Sequence, residues 1–290
     1  MVHDLNKQII DTHVHMFPKG LFEAIWDYFE ANYWDIHRRV DAALIPSYLA
    51  EFGVRNLSAL FYAHKRNISR QLNDWMHGLS QKIPSIIPFG TIHPEDKYLK
   101  AELDRILSPD GLDFAGIKLQ LMVTEFDPDI RELDAMYEKL VEYGKVLVLH
   151  VGDGPKPEYC RNESLEISPH VGIAKLKPVL ERYPKLKLQI PHLGATEYDA
   201  IFELVADNEN LRLDTAMMLV PHDTFPSGLE RDSMIDDIIT LQDHVMFGSD
   251  FPNVPYRYQF VVESMYKLPL DSEILEKIML KNAEKFYSLG

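Results

Sequence analysis

The chain has 290 residues, of which 46% are hydrophobic and 26% are charged, a balance typical of one large globular domain or two small ones. This composition excludes intrinsic disorder and collagen-like repetition. Asp and Glu number 45 against 30 Lys and Arg. The resulting formal charge of −15 argues against a general nucleic-acid-binding protein, which needs a basic surface.

The single cysteine, Cys160, cannot form a disulfide within the chain, and its solitary presence favours a reducing compartment. The first residues lack the basic and then apolar pattern of a signal peptide. No apolar run approaches the roughly 20 residues that span a bilayer. We therefore expect a cytoplasmic protein with no membrane partner. Because no linker or repeat divides the sequence, residues 1–290 are predicted to form a single domain.

Short runs rich in Val, Ile and Leu predict eight β-strands. In chain order they cover residues 8–11, 54–61, 85–92, 115–119, 146–150, 186–190, 211–214 and 244–247. The third is the weakest, because Pro88 cannot donate a backbone hydrogen bond. Their continuous apolar character, as opposed to alternation, is typical of a parallel sheet that is covered on both faces.

Helix-period segments lie between these runs. One helix is predicted to begin at the Asp127-Pro128 cap and to stop at Gly144. Another is predicted to open at Ser168-Pro169 and to be broken or kinked by Pro178. Two more apolar stripes predict helices over residues 98–107 and 272–288.

Eight alternating strand and helix units in a chain of this length indicate a (β/α)₈ (TIM) barrel. An open doubly wound sheet is the alternative for parallel strands with right-handed crossovers. Such a sheet normally carries a glycine-rich phosphate loop, and none follows any predicted strand. The sequence therefore favours an α/β fold of the barrel type.

Five metal-ligating side chains occur where predicted strands end. His13 and His15, two residues apart, can point to the same side of the first strand. His150 closes the fifth run, His192 follows the sixth, and Asp250 follows the eighth. A lone strand-end histidine is more often structural than a ligand. Five such residues at the end of a barrel that carries active sites predict a metal centre.

These residues resemble the amidohydrolase superfamily, and specifically its amidohydrolase-2 branch, which includes aminocarboxymuconate-semialdehyde decarboxylase. The resemblance covers essentially the whole chain. It rests on His13-x-His15, His150, and three segments that hold the remaining motifs: 116–119 (Gly-Ile-Lys-Leu), 191–194 (Pro-His-Leu-Gly) and 248–252 (Gly-Ser-Asp-Phe-Pro). The chain end, residues 282–287, is also similar. TatD nucleases share the first motif but carry a fourth-strand Glu where this chain has Lys118.

The resemblance implies one divalent metal ion held by His13, His15, His150 and Asp250. Zinc suits this nitrogen and oxygen ligand set best, and Mn²⁺, Fe²⁺, Co²⁺ and Ni²⁺ also fit. Such an ion activates water at neutral pH. Asp250 would act as general base, and His192 would polarise a substrate carbonyl or assist proton transfer to carbon.

Lys118 leaves two interpretations open. In binuclear relatives a fourth-strand lysine is carboxylated and bridges two metals. The branch that this chain resembles commonly has an unmodified lysine and one metal, so we expect a charged Lys118 near the substrate. A salt bridge in the barrel mouth would explain the same residue.

A small-molecule substrate that carries a carboxylate would need cationic or polar contacts. Arg257, which closely follows Asp250, is the first candidate, and His93 and Arg66 in other strand-end loops are further ones. A solvated position on the surface is the alternative explanation for each of these three loop residues.

The sequence thus predicts a metal-dependent hydrolase of an amide, ester or lactone bond. Non-oxidative decarboxylation of an unsaturated or aromatic acid is the alternative enzymatic reaction, and a non-catalytic binding barrel is a third hypothesis. A homodimer is compatible with all three.

Overall fold

The computed structural model describes residues 8–152, 160–166, 168–221 and 228–289. Eight parallel strands follow one another in chain order around a sheet. They are β1 (Ile9–His15), β2 (Val54–Leu60), β3 (Ile86–Gly90), β4 (Gly116–Gln120), β5 (Val146–His150), β6 (Lys187–Ile190), β7 (Leu211–Asp214) and β8 (Val245–Met246). The eight-stranded α/β architecture predicted from the sequence is confirmed.

The sheet curls until its first and last strands meet. The Thr12 N–H donates to the carbonyl of Phe247, and the His15 N–H donates to the carbonyl of Phe251. Val14 also forms a parallel bridge with Phe251, just beyond β8. These bonds complete a (β/α)₈ barrel, as expected for strands whose residues are buried on both faces.

Helices fill the connections and cover the outside of the barrel. They are α1 (Lys19–Asn32), α2 (Ile45–Ala50), α3 (Ser69–Ser80), α4 (Leu99–Leu107), α5 (Leu121–Thr124), α6 (Asp134–Tyr143), α7 (Ile173–Arg182), α8 (Tyr198–Ala206), α9 (Gly228–Thr240), α10 (Tyr258–Tyr266), α11 (Ser272–Glu276) and α12 (Asn282–Tyr287). A π-helical turn (Lys277–Lys281) joins α11 to α12. The predicted terminal helix is therefore one nearly continuous helical segment.

Two predicted helix starts are wrong. Helix α6 begins at Asp134, after a 3₁₀ turn, and not at Asp127. The carboxylate of Asp127 instead accepts hydrogen bonds from His170 and Lys175 at 2.7 and 2.6 Å, so it cannot cap α6. Helix α7 begins at Ile173 and not at Ser168-Pro169, and it continues through Pro178 to Arg182.

Two other local predictions hold. Gly144 ends α6 with φ of 64°, a left-handed conformation that glycine adopts without a steric penalty. Pro88 lies inside β3, where it pairs with Ala59 of β2 and its carbonyl accepts from the Ala115 N–H at 2.9 Å. The missing N–H of Pro88 therefore does not prevent the strand.

Within the described ranges, no helix is both long enough and apolar enough to cross a membrane.

Candidate metal centre

The five predicted metal-site residues lie together at the carboxyl end of the barrel. His13 and His15 belong to β1, and His150 is the last residue of β5. His192 lies just after β6, and Asp250 follows β8. One nitrogen of His13, one nitrogen of His192 and one carboxylate oxygen of Asp250 all lie within 4.8 Å of one another. The predicted strand-end positions thus converge in space.

Asp250 is the residue on which the β1 histidines converge. Its Oδ1 lies 2.8 Å from Nε2 of His15 and 3.2 Å from Nε2 of His13. The backbone at Asp250 has φ of 64°, and its N–H donates to the carbonyl of His13 at 2.9 Å. Burial would raise the pKa of Asp250, but His15 and His13 outweigh burial and hold that pKa well below its usual range. The group is a carboxylate at neutral pH.

His13 lies between two carboxylates. Its Nδ1 is 3.0 Å from Oδ2 of Asp214, at the end of β7. Because a carboxylate can only accept, Nδ1 carries the hydrogen and Nε2 faces Asp250. Burial opposes a charge on His13, but the attraction of Asp214 and Asp250 is larger and raises the pKa of His13 to about 9. A carboxylate that orients a histidine in this way is typical of metal sites in proteins.

Asp214 is a site residue that the sequence analysis missed. Its Oδ2 accepts from His13 and from the Gln189 amide, the latter at 2.8 Å. Its Oδ1 accepts from the backbone N–H groups of His192 and Ala216, each at 3.1 Å. Burial would raise its pKa, but His13 and these donors lower it. The sequence does hold one signal for Asp214, which is its position at the end of the seventh apolar run.

His192 lies in a strained turn. Residues His192, Leu193, Gly194 and Ala195 have φ of 58°, 50°, 85° and 53° in succession. Residues other than glycine rarely adopt such positive φ values, and those that do are concentrated at functional sites. The Nδ1 of His192 lies 3.0 Å from the carbonyl of Ala216, so Nδ1 carries the hydrogen. Burial lowers the pKa of His192 to about 4, which leaves a neutral ring with an unprotonated Nε2.

His150 faces the same space as His192. The centres of the two rings are 4.9 Å apart, and the Nε2 atom of His150 is buried without a hydrogen-bond partner among the described residues. Burial, together with His192 and Lys118, lowers the pKa of His150 well below its usual value. A buried imidazole nitrogen without a partner is costly unless a ligand occupies it.

Lys118 lies on β4, fully buried in the barrel interior. Its Nζ has no hydrogen-bond partner within the described part of the chain. Burial lowers the pKa of Lys118 to about 8, although Asp214 and Asp250 counteract it. The salt-bridge interpretation therefore finds no support among the described residues, because none of their carboxylates lies within hydrogen-bond distance of the amine.

In the described part of the chain, no hydrogen bond or ion pair joins the predicted substrate contacts to this cluster. Arg257 is exposed and lines a shallow surface groove with His37 and Glu263, and Arg66 is also exposed. His93 is partly buried, and its Nδ1 accepts a hydrogen bond from the Glu95 N–H. None of the three is brought to the metal-site residues, so their contact with substrate stays a prediction.

Aromatic side chains wall one side of the cluster. The Tyr62 ring lies 6.2 Å from the His15 ring in an edge-on arrangement, and the Phe17 ring stacks 6.1 Å from the same histidine. Burial raises the pKa of Tyr62, and the carboxylate of Asp250 adds to the effect. Tyr62 was not predicted, although it directly follows the second apolar run.

The donor set fits a divalent cation. The carboxylate of Asp250 lies among four imidazoles, with Asp214 behind His13, and carboxylate with imidazole is a ligand chemistry suited to Zn²⁺, Mn²⁺ and related ions. The buried Nε2 of His150, which has no hydrogen-bond partner among the described residues, could coordinate a cation. Among the described residues, His13, His192 and Asp250 form a group that could hold a metal ion, and His15 and His150 lie beside this group.

Comparison with known families gives the class of the protein. The amidohydrolase family model (the amidohydrolase-2 branch) matches residues 10–289, and the chain therefore belongs to this family. A search of curated protein sequences gives no significant match. The predicted family is confirmed, and the chain is an enzyme of this metal-dependent family.

Similar solved structures include several decarboxylases. The 5-carboxyvanillate decarboxylase of Sphingomonas paucimobilis has a TM-score of 0.67 at 17% identity, covering 98% of this chain and 99% of that one. The 2,6-dihydroxybenzoate decarboxylase of Rhizobium has a TM-score of 0.68 at 15% identity, with 98% and 99% covered. A dihydroxybenzoic acid decarboxylase of Polaromonas sp. JS666, solved with manganese and 2-nitroresorcinol, has a TM-score of 0.68 at 16% identity, with 98% and 97% covered. At such identities these likenesses show the shared fold.

Proposed function

We propose that this chain is a metal-dependent, non-oxidative decarboxylase of an aromatic or unsaturated carboxylic acid. Membership of the amidohydrolase family and the decarboxylases among the similar structures support this reaction over the hydrolysis that the sequence analysis placed first. Decarboxylation, which the sequence left open as the alternative to hydrolysis, is therefore the reaction that we propose.

The observation that carries the proposal is the burial of the metal-site residues beside aromatic rings. His13 is 1% exposed, and His15, His150 and Asp250 are each 6–7% exposed. Phe17 and Tyr62 pack against His15. A substrate carboxylate that moves from water into such a dry surrounding loses its hydration. This destabilises the charged acid relative to the neutral carbon dioxide that the reaction releases. A dry aromatic wall also suits a planar substrate ring.

His13, His15, His150 and Asp250 would hold the cation, with His192 beside them. Bound there, a divalent ion would polarise the oxygen atoms of the substrate. His192 presents an unprotonated Nε2 to the centre because its Nδ1–H is committed to Ala216. His192 is therefore suited to hold a cation or to accept a proton, and it is not suited to donate one.

The reaction breaks the C–C bond between the carboxylate carbon and the adjacent carbon of the substrate, and the electron pair of this bond stays on that adjacent carbon. Carbon dioxide leaves, and a proton then forms the new C–H bond. We propose Asp250 as the carrier of this proton, which comes ultimately from solvent, because its carboxylate is buried at the centre of the cluster. Lys118, buried nearby with a free ammonium, would attract the anionic substrate.

The metal itself is proposed as one divalent ion for each chain. Zinc was expected from the ligand types, whereas the Polaromonas relative was solved with manganese. Elemental analysis of the purified protein, followed by activity after reloading with either ion, identifies the metal. A second ion bridged by carboxylated Lys118 would appear as a mass increase on that residue and a doubled metal content.

Hydrolysis remains the second candidate, because the family is named for it and the same residues could activate water. In that reaction Asp250 would act as general base towards water. The two reactions differ in their products, since only hydrolysis incorporates oxygen from solvent.

The test incubates metal-loaded protein with a panel of hydroxylated benzoic acids and measures released carbon dioxide. In parallel, the ring products are incubated in D₂O, where a decarboxylase exchanges the ring hydrogen at the former carboxylate position. A panel of amides, esters and lactones in ¹⁸O-water covers hydrolysis. Turnover of the second panel without carbon dioxide release from the first would overturn the proposal.

A further inference from the structure

The C-terminal helix reaches into the barrel interior through Tyr287. Helix α12 packs against the inward-facing side chains of the strands, where the Tyr287 ring lies 5.7 Å from Phe89 in an edge-on arrangement. The Tyr287 hydroxyl forms a hydrogen bond with Oε1 of Gln189. Burial raises the pKa of Tyr287, so the hydroxyl stays protonated and donates this bond.

Gln189 of β6 is fully buried, and its amide orientation is determined by its partners. Nε2 lies 3.1 Å from the carbonyl of Thr12 and 2.8 Å from Oδ2 of Asp214. Both of these groups can only accept, so Nε2 faces them and Oε1 faces Tyr287. The hydroxyl of Tyr287 therefore satisfies the one remaining polar atom of this amide.

Asp214 continues the same chain of hydrogen bonds to the metal centre. The oxygen that accepts from Gln189 also accepts from Nδ1 of His13. Three hydrogen bonds thus connect the hydroxyl of Tyr287 to His13, a residue that we propose as a metal ligand. Networks in which each member is satisfied restrict their members to one arrangement.

We propose that Tyr287 is a positioning residue for the metal centre, acting through Gln189 and Asp214 on His13. This inference rests on the proposed metal site. Without the hydroxyl, Oε1 of Gln189 becomes a buried acceptor with no donor, a costly state. Rotation of the amide would relieve it only by turning Oε1 towards the carboxylate of Asp214, where two acceptors repel. Either outcome loosens the support of Asp214 and therefore the orientation of His13.

A structural role of the hydroxyl must be separated from this positioning role. Tyr137 of α6 is a matched control, because it is fully buried and its hydroxyl donates to the carbonyl of Pro128 at 2.6 Å. It takes no part in the hydrogen bonds that reach Asp214. Tyr137→Phe removes the same chemical group from the core and reports the general cost of that loss.

The experiment titrates metal-free protein with Co²⁺ in competition with a chromogenic chelator and records the visible Co²⁺ spectrum. Direct partners of metal-bound histidines change metal affinity by about 10- to 100-fold, and Tyr287 lies two residues beyond the direct partner Asp214, so we expect Tyr287→Phe to weaken Co²⁺ binding about 3- to 10-fold. The spectrum should change with it. Tyr137→Phe should lower the melting temperature of the metal-free protein and leave Co²⁺ affinity and spectrum unchanged.

The same Co²⁺ titration is carried out on Gln189→Met. This variant replaces Tyr287→Phe if Tyr287→Phe does not fold. If Tyr287 acts through Gln189, adding Tyr287→Phe to Gln189→Met causes no further loss of affinity. Independent, multiplying losses would overturn the proposal, as would an affinity and spectrum of Tyr287→Phe equal to those of the unaltered chain. Failure of the unaltered chain to bind Co²⁺ would instead overturn the metal site itself.

Discussion

Replacement of Asp214 by Asn tests the link between the seventh strand and the metal centre. Asp214 accepts four hydrogen bonds, two on each oxygen, at distances of 2.8–3.1 Å. An asparagine side chain keeps the shape but has only one accepting oxygen. Two of the four donors must therefore face an NH₂ group.

The consequence for His13 depends on which side the amide nitrogen takes. If the nitrogen faces His13, the hydrogen moves from Nδ1 to Nε2, the atom that would bind the metal. If it faces the other way, the N–H groups of His192, in the strained turn, and of Ala216, just after β7, lose their acceptor. The first arrangement blocks a metal ligand, and the second destabilises the segment that carries His192.

The magnitude follows from the place of Asp214 directly behind His13. Loss of such a partner typically reduces metal affinity by about 10- to 100-fold, which corresponds to about 1.4–2.7 kcal/mol. At a fixed excess of Zn²⁺ or Mn²⁺, the stabilisation that the metal provides should fall by the same amount. Competition with a chelator measures the affinity, and thermal unfolding with and without metal measures the stabilisation.

Glu102→Gln is the matched control. Glu102 is 4% exposed and pairs with Arg105 and Asn73 outside the barrel centre, so the substitution also converts a buried carboxylate to an amide. It should destabilise the protein without changing metal affinity. Equal metal affinity in Asp214→Asn and the unaltered chain would refute the assignment of Asp214 as the group that orients His13.

Three further outcomes are expected. Asp250→Asn should reduce carbon dioxide release at least about 100-fold by removing a proton carrier, and near-normal turnover at saturating metal would contradict that role. Lys118→Met should raise KM for an anionic substrate by about tenfold while metal content stays the same, because only the ammonium is removed; an unchanged KM would leave Lys118 without a substrate role. Gly194→Ala should lower the free energy of unfolding by about 2 kcal/mol or more, since φ is 85° and an added Cβ would lie 2.7 Å from the Ile201 side chain. Denaturant unfolding measures this loss, and a change within about 0.5 kcal/mol would show that the turn relaxes freely.

The barrel and the positions of the five metal-site residues could be predicted because both follow from local periodicity. Continuous apolar runs mark buried parallel strands, and the end of a run marks the same edge of the barrel for every strand. His150, the last residue of a run that the structure reproduces without change, shows how directly this inference works. No knowledge of side-chain direction in loops was needed.

The role of Asp214 could not be obtained in the same way. Its contact with His13 joins residues separated by 201 positions, and another of its partners, His192, lies in a turn with four consecutive positive φ values. Neither the turn nor the pairing leaves a periodic signal. Gln189 and Tyr287 were hidden for the same reason, since the partners of a polar residue that faces the barrel interior, from a strand or from the C-terminal helix, lie far away in the sequence.

Loop residues were the least predictable part. Arg257 was selected for its nearness in sequence to Asp250; its side chain is exposed, and its contact with substrate stays a prediction. Asp127 was selected as a helix cap, yet it binds His170 and Lys175 across the surface. In both cases the direction of a loop side chain depends on where the chain turns, which a strand or helix period does not determine.

The charge at the centre would allow this acidic protein to bind the acidic substrate that we propose. Asp214 and Asp250 are carboxylates, the pKa of Lys118 lies at about 8, and His192 is neutral near pH 7. A divalent ion with its ligand His13 in the neutral form would cancel both carboxylates and leave the charge of Lys118. One positive charge in a buried site attracts one carboxylate strongly, because screening by solvent is weak there. The formal charge of −15 lies mostly on exposed residues and therefore does not oppose the binding of an acid at the barrel mouth.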